Sequence, residues 1–228
     1  MEKSVLRFFA ALLAASIVFA AFGQFSAAAS DGCTVDHEER SVLTTVLKSM
    51  SARSRSILVI ESRTDSSHFA RTFRLADLLL RDATSELSSQ LEAAPSGSTV
   101  FLSTPAPTIP EVQQHELEQD YDAKLSQSCR IPALNNGSKL LLSKTPAEIK
   151  QIFSGNDPSK GWIRFHRLFG NDAELLTLSR VAFDPAKQYA VVHVSSGLSE
   201  TGGGGELYLL TRLNGDWAVK RIFSTWVT

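Results

Sequence analysis

Four runs near the C-terminus decide the fold: LTLSRVAF at 176–183, YAVVHVSS at 189–196, ELYLLTR at 206–212 and WAVKRIFSTWV at 217–227. Each is rich in β-branched, aromatic and other apolar residues, and turn-formers separate them at Asp184-Pro185, Gly202 to Gly205 and Asn214-Gly215. A two-residue type I′ turn needs positive φ at both central positions, which Asn and Gly tolerate best, so Asn214-Gly215 is the strongest hairpin signal in the chain. The spacing predicts an antiparallel meander of four strands, with the glycine tract as a flexible hairpin loop able to cover a pocket.

Immediately upstream the pattern turns helical. Thr145 as N-cap, Pro146 at N1 and Glu148 at N3 mark a complete helix start. Trp162, Phe165, Leu168 and Phe169 then predict a short amphipathic helix whose aromatic face packs on the meander. Further back, the run at 111–129 has helical character and ends near Cys129, and a short strand is expected at 140–142 after a turn at 135–137. Asn136-Gly137-Ser138 in that turn is formally an N-glycosylation acceptor. Pro95, Pro105, Pro107 and Pro110 remove amide donors and disfavour helix, so 95–110 reads as a long surface loop with at most a strand at 99–102. Leu75, Leu78, Leu79, Leu87 and Leu91 mark a helical region before it.

Nearer the N-terminus, Ile57 to Ile60 in ILVIESRT are four consecutive β-formers, the mark of a strand buried on both faces or at a sheet centre. Val42, Leu43, Val46, Leu47 and Met50 form one stripe of a helix that Asp36 caps, with Glu39 at capping-box distance. The fold class is therefore α+β: a C-terminal four-stranded antiparallel meander packed against N-terminal helices, with an additional buried strand near 57–64.

Residues 1–29 differ in kind from the rest. Lys3 and Arg7 precede the apolar run FFAALLAASIVFAAF, and Ala27-Ala28-Ala29 offers small residues for cleavage, the pattern of a secretory signal peptide. The run is short of the roughly 20 apolar residues a membrane span takes, so no integral membrane segment is expected after cleavage. Residues 30–228 then make a single domain, exported to the periplasm or medium. The chain carries 23 Lys and Arg against 24 Asp and Glu, and loss of Lys3, Arg7 and Glu2 leaves acids two in excess. That balance gives no long-range attraction to nucleic acid or anionic lipid. In an oxidising compartment Cys33 and Cys129 are expected to pair, the other reading being two buried thiols.

At Trp162 and Phe165, then LSRVAFD, QYAVVHV, GELYLL and NGDWAVKRIFSTWV, the chain resembles a group of exported bacterial proteins of unknown function. Their pattern runs W, F, LSRVGFN, QALVYV, G-x-G-x-Y-x-L-L, GKW and a terminal W. The matching positions are Trp162, Phe165, Ser179, Arg180, Val181, Phe183, Gln188, Ala190, Val192, Tyr208, Trp217 and Trp226, with Ala182 where the pattern has Gly and Asp184 where it has Asn. EERSVLTTVL and LVIESRT upstream are also similar. The resemblance implies export and a shared fold but no activity. The closing strand, N-G-D-W and strand also look like the end of cone-shaped NTF2-like domains, which implies a fold more than a function.

Chemistry-bearing motifs are sparse. Gly202 to Gly205 is followed by Glu206 and a strand, whereas a phosphate loop opens a helix and continues with Lys and Ser or Thr. His37-Glu38 and His115-Glu116 lack the second histidine of a zinc helix, so no metal and no cofactor are expected. The best nucleophilic assembly is Ser179 or Ser195 with His193 and Glu206, but neither serine stands on a strand-turn-helix elbow. Strand alternation puts Val191, His193 and Ser195 on one face, pointing into a groove or water. Alternation also puts Arg180 on the apolar face of Leu176, Leu178 and Ala182, where its charge needs Glu206, another acid or an anionic ligand. Arg180, His193, Glu206 and Tyr208 are thus the candidate ligand-binding residues. The expected function is a non-catalytic binding or envelope-associated domain for a protein or small-molecule ligand; the alternative is a small-pocket enzyme of NTF2-like type.

Overall fold

A computed structural model describes residues 33–65, 77–78, 109–125, 127–134 and 140–228. The expected leader, Leu75, Leu79, Leu87 and Leu91 of the second helical region, the strand at 99–102, most of the proline-rich stretch and the turn at 135–137 lie outside the described residues. Everything described belongs to one compact unit, Gly32–Thr228.

The elements in chain order are α1 (His37–Arg53), β1 (Leu58–Glu61), α2 (Glu111–Leu125), β2 (Leu141–Lys144), α3 (Pro146–Ile152), α4 (Pro158–Phe169), β3 (Glu174–Leu178), β4 (Ala182–Phe183), β5 (Tyr189–Gly197), β6 (Gly203–Leu213) and β7 (Asp216–Val227). The fold is α+β as the sequence predicts. The strands form one mixed sheet of order β2-β1-β3-β5-β6-β7, with β4 also paired to β5. β1 sits between β2 and β3 and runs parallel to both, so the apolar run that starts at Ile57 is a sheet centre. β3, β4, β5, β6 and β7 are antiparallel neighbours.

Local chemistry sets the boundaries. Asp36 caps α1: the Glu39 amide donates to its carboxylate at 2.8 Å, and the Glu39 carboxylate accepts from the Asp36 amide at 3.1 Å. The same reciprocal box, Thr145 with Glu148, opens α3, and Pro146 follows the cap. Asn214 and Gly215 take φ of 53° and 94°, the type I′ geometry that matches strand twist and closes β6 onto β7.

Helices cover both faces of the sheet. The stripe Val42, Leu43, Val46, Leu47 and Met50 of α1 packs with Leu58, Ile60, Leu176, Leu178, Val192, Tyr208 and Leu210 on one face. On the other, Leu117 and Tyr121 of α2 meet Ala182, Val191, Leu207, Leu209 and Phe223. The aromatic face of α4 packs on the meander at β3 and β5, and also beyond it: Trp162 and Phe165 lie over Val59, Ala173 and Leu175, and the indole of Trp162 reaches β5 at Gly197. Cys33 and Cys129 form a disulfide with Cα atoms 4.7 Å apart. It joins the segment before α1 to an extended stretch after α2, which Ile131 and Thr64 tie backbone to backbone to the continuation of β1.

Two departures from the predicted meander have local causes. The first strand breaks at 179–181. The Ser179 hydroxyl accepts the His193 amide proton at 2.9 Å, a side chain standing in for the carbonyl a continuous ladder would supply. After the break Val181 packs toward α1 and Ala182 toward α2, so the simple alternation that grouped Arg180 with Ala182 fails. The glycine tract is not a loop: Gly203, Gly204 and Gly205 are residues of β6, opposite Gly197, Ser196 and Ser195, and the turn is confined to the residues before Gly203.

Candidate functional site

Arg180 is held by α1. Its Nε and Nη2 donate to the two oxygens of Glu39 at 3.0 and 2.9 Å, and its Nη1 donates to Gln127 Oε1 at 2.6 Å. The Glu39 side chain is 1% exposed and that of Arg180 13%, so this is a nearly dry bidentate pair. The internal acid is Glu39 rather than Glu206, and it also closes the capping box, so one carboxylate fixes both the start of α1 and the break between β3 and β4.

Glu206 and Tyr208 do come together, on the α1 face of β6, and their partner is Arg53 in the last turn of α1. Arg53 Nη1 and Nη2 donate to the two Glu206 oxygens at 3.2 and 2.9 Å, and the Tyr208 hydroxyl donates to Glu206 Oε2 at 2.6 Å while contacting Arg53 Nη2. Burial by itself would raise the Glu206 carboxyl, but hydrogen bonds from Arg53 and Tyr208 and the guanidinium charge hold it below the usual range. Hydrogen bonding to Glu206 raises Arg53 further, and burial followed by the Glu206 bond pushes the Tyr208 phenol well above its ordinary value. All three groups therefore keep a fixed protonation state at neutral pH. A third connection closes the same interface: Trp217 Nε1 donates to Glu38 at 2.7 Å, Arg212 pairs with Glu38 at 3.0 Å, and the Arg212 guanidinium lies 5.4 Å from the indole centroid.

His193 lies on the opposite face of the sheet. It is 1% exposed, which corrects the expectation of a groove or solvent position, and burial lowers its pKa to about 4, leaving a neutral imidazole at ordinary pH. Its Nε2 is 2.8 Å from Thr225 Oγ1. A register shift between Gly205 and Glu206 in the β6–β7 pairing accompanies the delivery of Thr225 to this face, a contact the sequence pattern does not show. Ser179 is spent on the strand break and Ser195 stands opposite Gly205. The four candidate residues thus divide three ways: Arg180 at the start of α1, Glu206 with Tyr208 at its end, His193 beneath the far face.

The glycines of β6 have a definite task. A Cβ on Gly205 would fall on the Trp226 indole nitrogen, and one on Gly203 would lie 3.3 Å from Trp226 Cη2. Across the strand pair, a Cβ on Gly197 would lie 2.9 Å from Trp162 Cη2. Gly197 and Gly203 are directly paired, so bare backbone lets two tryptophans from α4 and β7 lie down on adjacent strands. Trp226 remains 38% exposed.

Two open clefts flank these elements. One, of about 710 Å³, runs along the outer side of α1 against the start of β7 and is lined by His37, Arg40, Ser41, Thr44, Thr45, Lys48, Asp216 and Trp217. The other, of about 600 Å³, lies between α2 and the β4–β5 turn and includes Asp36, Glu116, Asp120, Lys124, Phe183, Asp184 and Lys187. Among the described residues no set of three His, Cys, Asp or Glu side chains is placed to hold a metal, and no helix is long and apolar enough to cross a membrane. No family model matches the chain, and no curated protein or solved structure matches it.

Proposed function

We propose that the protein is an exported, non-catalytic binding or envelope-associated domain, related to the exported bacterial proteins that its C-terminal sequence resembles. One observation carries the reading. The residues with the best chemistry, Arg180, Glu206 and Tyr208, are engaged with Glu39 and Arg53 of α1, so their charge fixes a scaffold, while the two open clefts, one along α1 and one beside α2, expose polar side chains with no hydrogen-bonded nucleophile and base among the described residues. The disulfide supports export, because such a bond persists in oxidising compartments.

The test is fractionation of cells expressing the full chain, followed by mass analysis and ligand screening of the recovered form. A product shortened by about 30 residues, oxidised at Cys33 and Cys129, that binds compounds without converting them is expected. A full-length cytoplasmic product with two free thiols refutes export. The alternative, a small-pocket enzyme, rests on the 2.8 Å His193–Thr225 contact. Turnover abolished by both His193→Gln and Thr225→Val would replace the binding reading with that one.

A further inference from the structure

We propose that the cleft between α1 and the start of β7 binds a segment of acidic polysaccharide, a sugar chain bearing carboxylates. The inference rests on the binding-domain reading above and assigns its site and ligand class.

Arg40 and Lys48 line this cleft, both exposed and neither in an ion pair with an acid among the described residues, so one wall carries two cations open to the cleft. The two cations lie eight residues apart on α1, about 12 Å along the axis at 1.5 Å per residue, so an extended anion engages both without drawing the two like charges together. An extended ligand with repeated negative groups spans them. Between the two stand Thr44 and Thr45, whose hydroxyl protons are already donated to the Arg40 and Ser41 carbonyls at 2.8 and 3.1 Å. Their free lone pairs can only accept, as can the Asp216 carboxylate on the facing wall. A ligand that complements both cations and acceptors carries anions with hydrogen-bond donors between them, as an acidic sugar chain does with its carboxylates and hydroxyls. A DNA strand presents a phosphate at every step with no hydroxyl between them, so it would leave Thr44, Thr45 and Asp216 without donors.

The walls are fixed in advance. Glu38, on the turn of α1 beside the cleft, accepts from Trp217 Nε1 and pairs with Arg212, which pins the β6–β7 hairpin against the helix. Little ordering is needed on binding, so weak polar contacts suffice.

The experiment is isothermal titration of the protein, expressed from the full chain and recovered in oxidised form, with a hexameric uronic-acid oligosaccharide, and with the same hexamer after carboxyl reduction, at low and physiological salt. Binding of the acidic hexamer is expected to weaken roughly tenfold on carboxyl reduction, by a similar factor in the Arg40→Gln/Lys48→Gln variant, and on addition of salt. Lys150→Gln, an exposed charge on α3, is the control and should bind as wild type. The proposal is overturned if the acidic hexamer does not bind, if the double variant binds it undiminished, if Lys150→Gln costs as much, or if single-stranded DNA of equal charge binds more tightly. A screening ligand that binds wild type and double variant alike would sink the cleft assignment and leave the binding-domain reading standing; turnover of the hexamer would sink that reading instead.

Discussion

Replacing Glu39 by Ala strikes the most consequential polar contact in the fold. The carboxylate is 1% exposed and accepts three hydrogen bonds, from the Asp36 amide at 3.1 Å and from Arg180 at 3.0 and 2.9 Å. Its loss leaves a guanidinium of 13% exposure with the single neutral partner Gln127 and removes half of a capping box. Breaking a buried pair from one side costs about 3–5 kcal/mol, because the surviving charge stays desolvated. Domains of this size are stable by about 5–15 kcal/mol, so Glu39→Ala should shift the urea midpoint far down without abolishing folding. Arg180→Met should cost less than Glu39→Ala does: it leaves Glu39 its Asp36 contact and the positive end of the helix dipole. The decisive quantity is the coupling energy from urea titrations of Glu39→Leu, Arg180→Met and the double variant. Removing both charges and filling the space with apolar atoms should recover about 2 kcal/mol or more relative to the sum of the single changes. Additive losses, or a Glu39→Ala cost under about 1 kcal/mol, would show that the pair is solvated in solution and would refute the account of Arg180 as a scaffold residue.

Reduction of Cys33–Cys129, which spans 96 residues, should lower stability by up to about 4–5 kcal/mol in the chain-entropy model, read as a drop in melting temperature on adding reductant; an unchanged melt would discount the crosslink. Because burial depresses the folded pKa of His193 to about 4 from 6.5, the unfolded chain binds the extra proton between those values. Stability should therefore rise with pH from 4 to 6.5, by up to about 3 kcal/mol, and the increment should vanish in His193→Gln. Gly205→Ala places a methyl group on the Trp226 indole, so it should redshift tryptophan fluorescence and cost about 1–3 kcal/mol; a neutral effect would mean that the indole does not lie on β6 in solution.

Much of the backbone was legible because its determinants are local. Asp36 with Glu39, Thr145 with Pro146 and Glu148, and Asn214 with Gly215 each act within four residues, and each formed the cap or turn their chemistry prescribes. The burial of β1 followed from composition, since unbroken β-formers suit only a sheet centre. The two cysteines could be paired without a structure because there are two.

What lay beyond the sequence depends on residues far apart in the chain. Glu39 was legible as a cap; its second role, 141 residues from Arg180, exists because α1 crosses the sheet over the break at 179–181. Arg53 carries no motif, and only the docking of α1 brings it to Glu206 and Tyr208. The glycine tract misled for a related reason: glycine signals either a turn or a close approach, and the choice depended on an indole arriving from β7. His193 was placed on the correct face by alternation, but whether that face met water was set by what packs against it. Sequence by itself determined the helix starts at Asp36 and Thr145 and the turn at Asn214-Gly215, because those energies are short-ranged; tertiary structure decided where the strands pair and which charges meet, because that depends on the packing of whole elements.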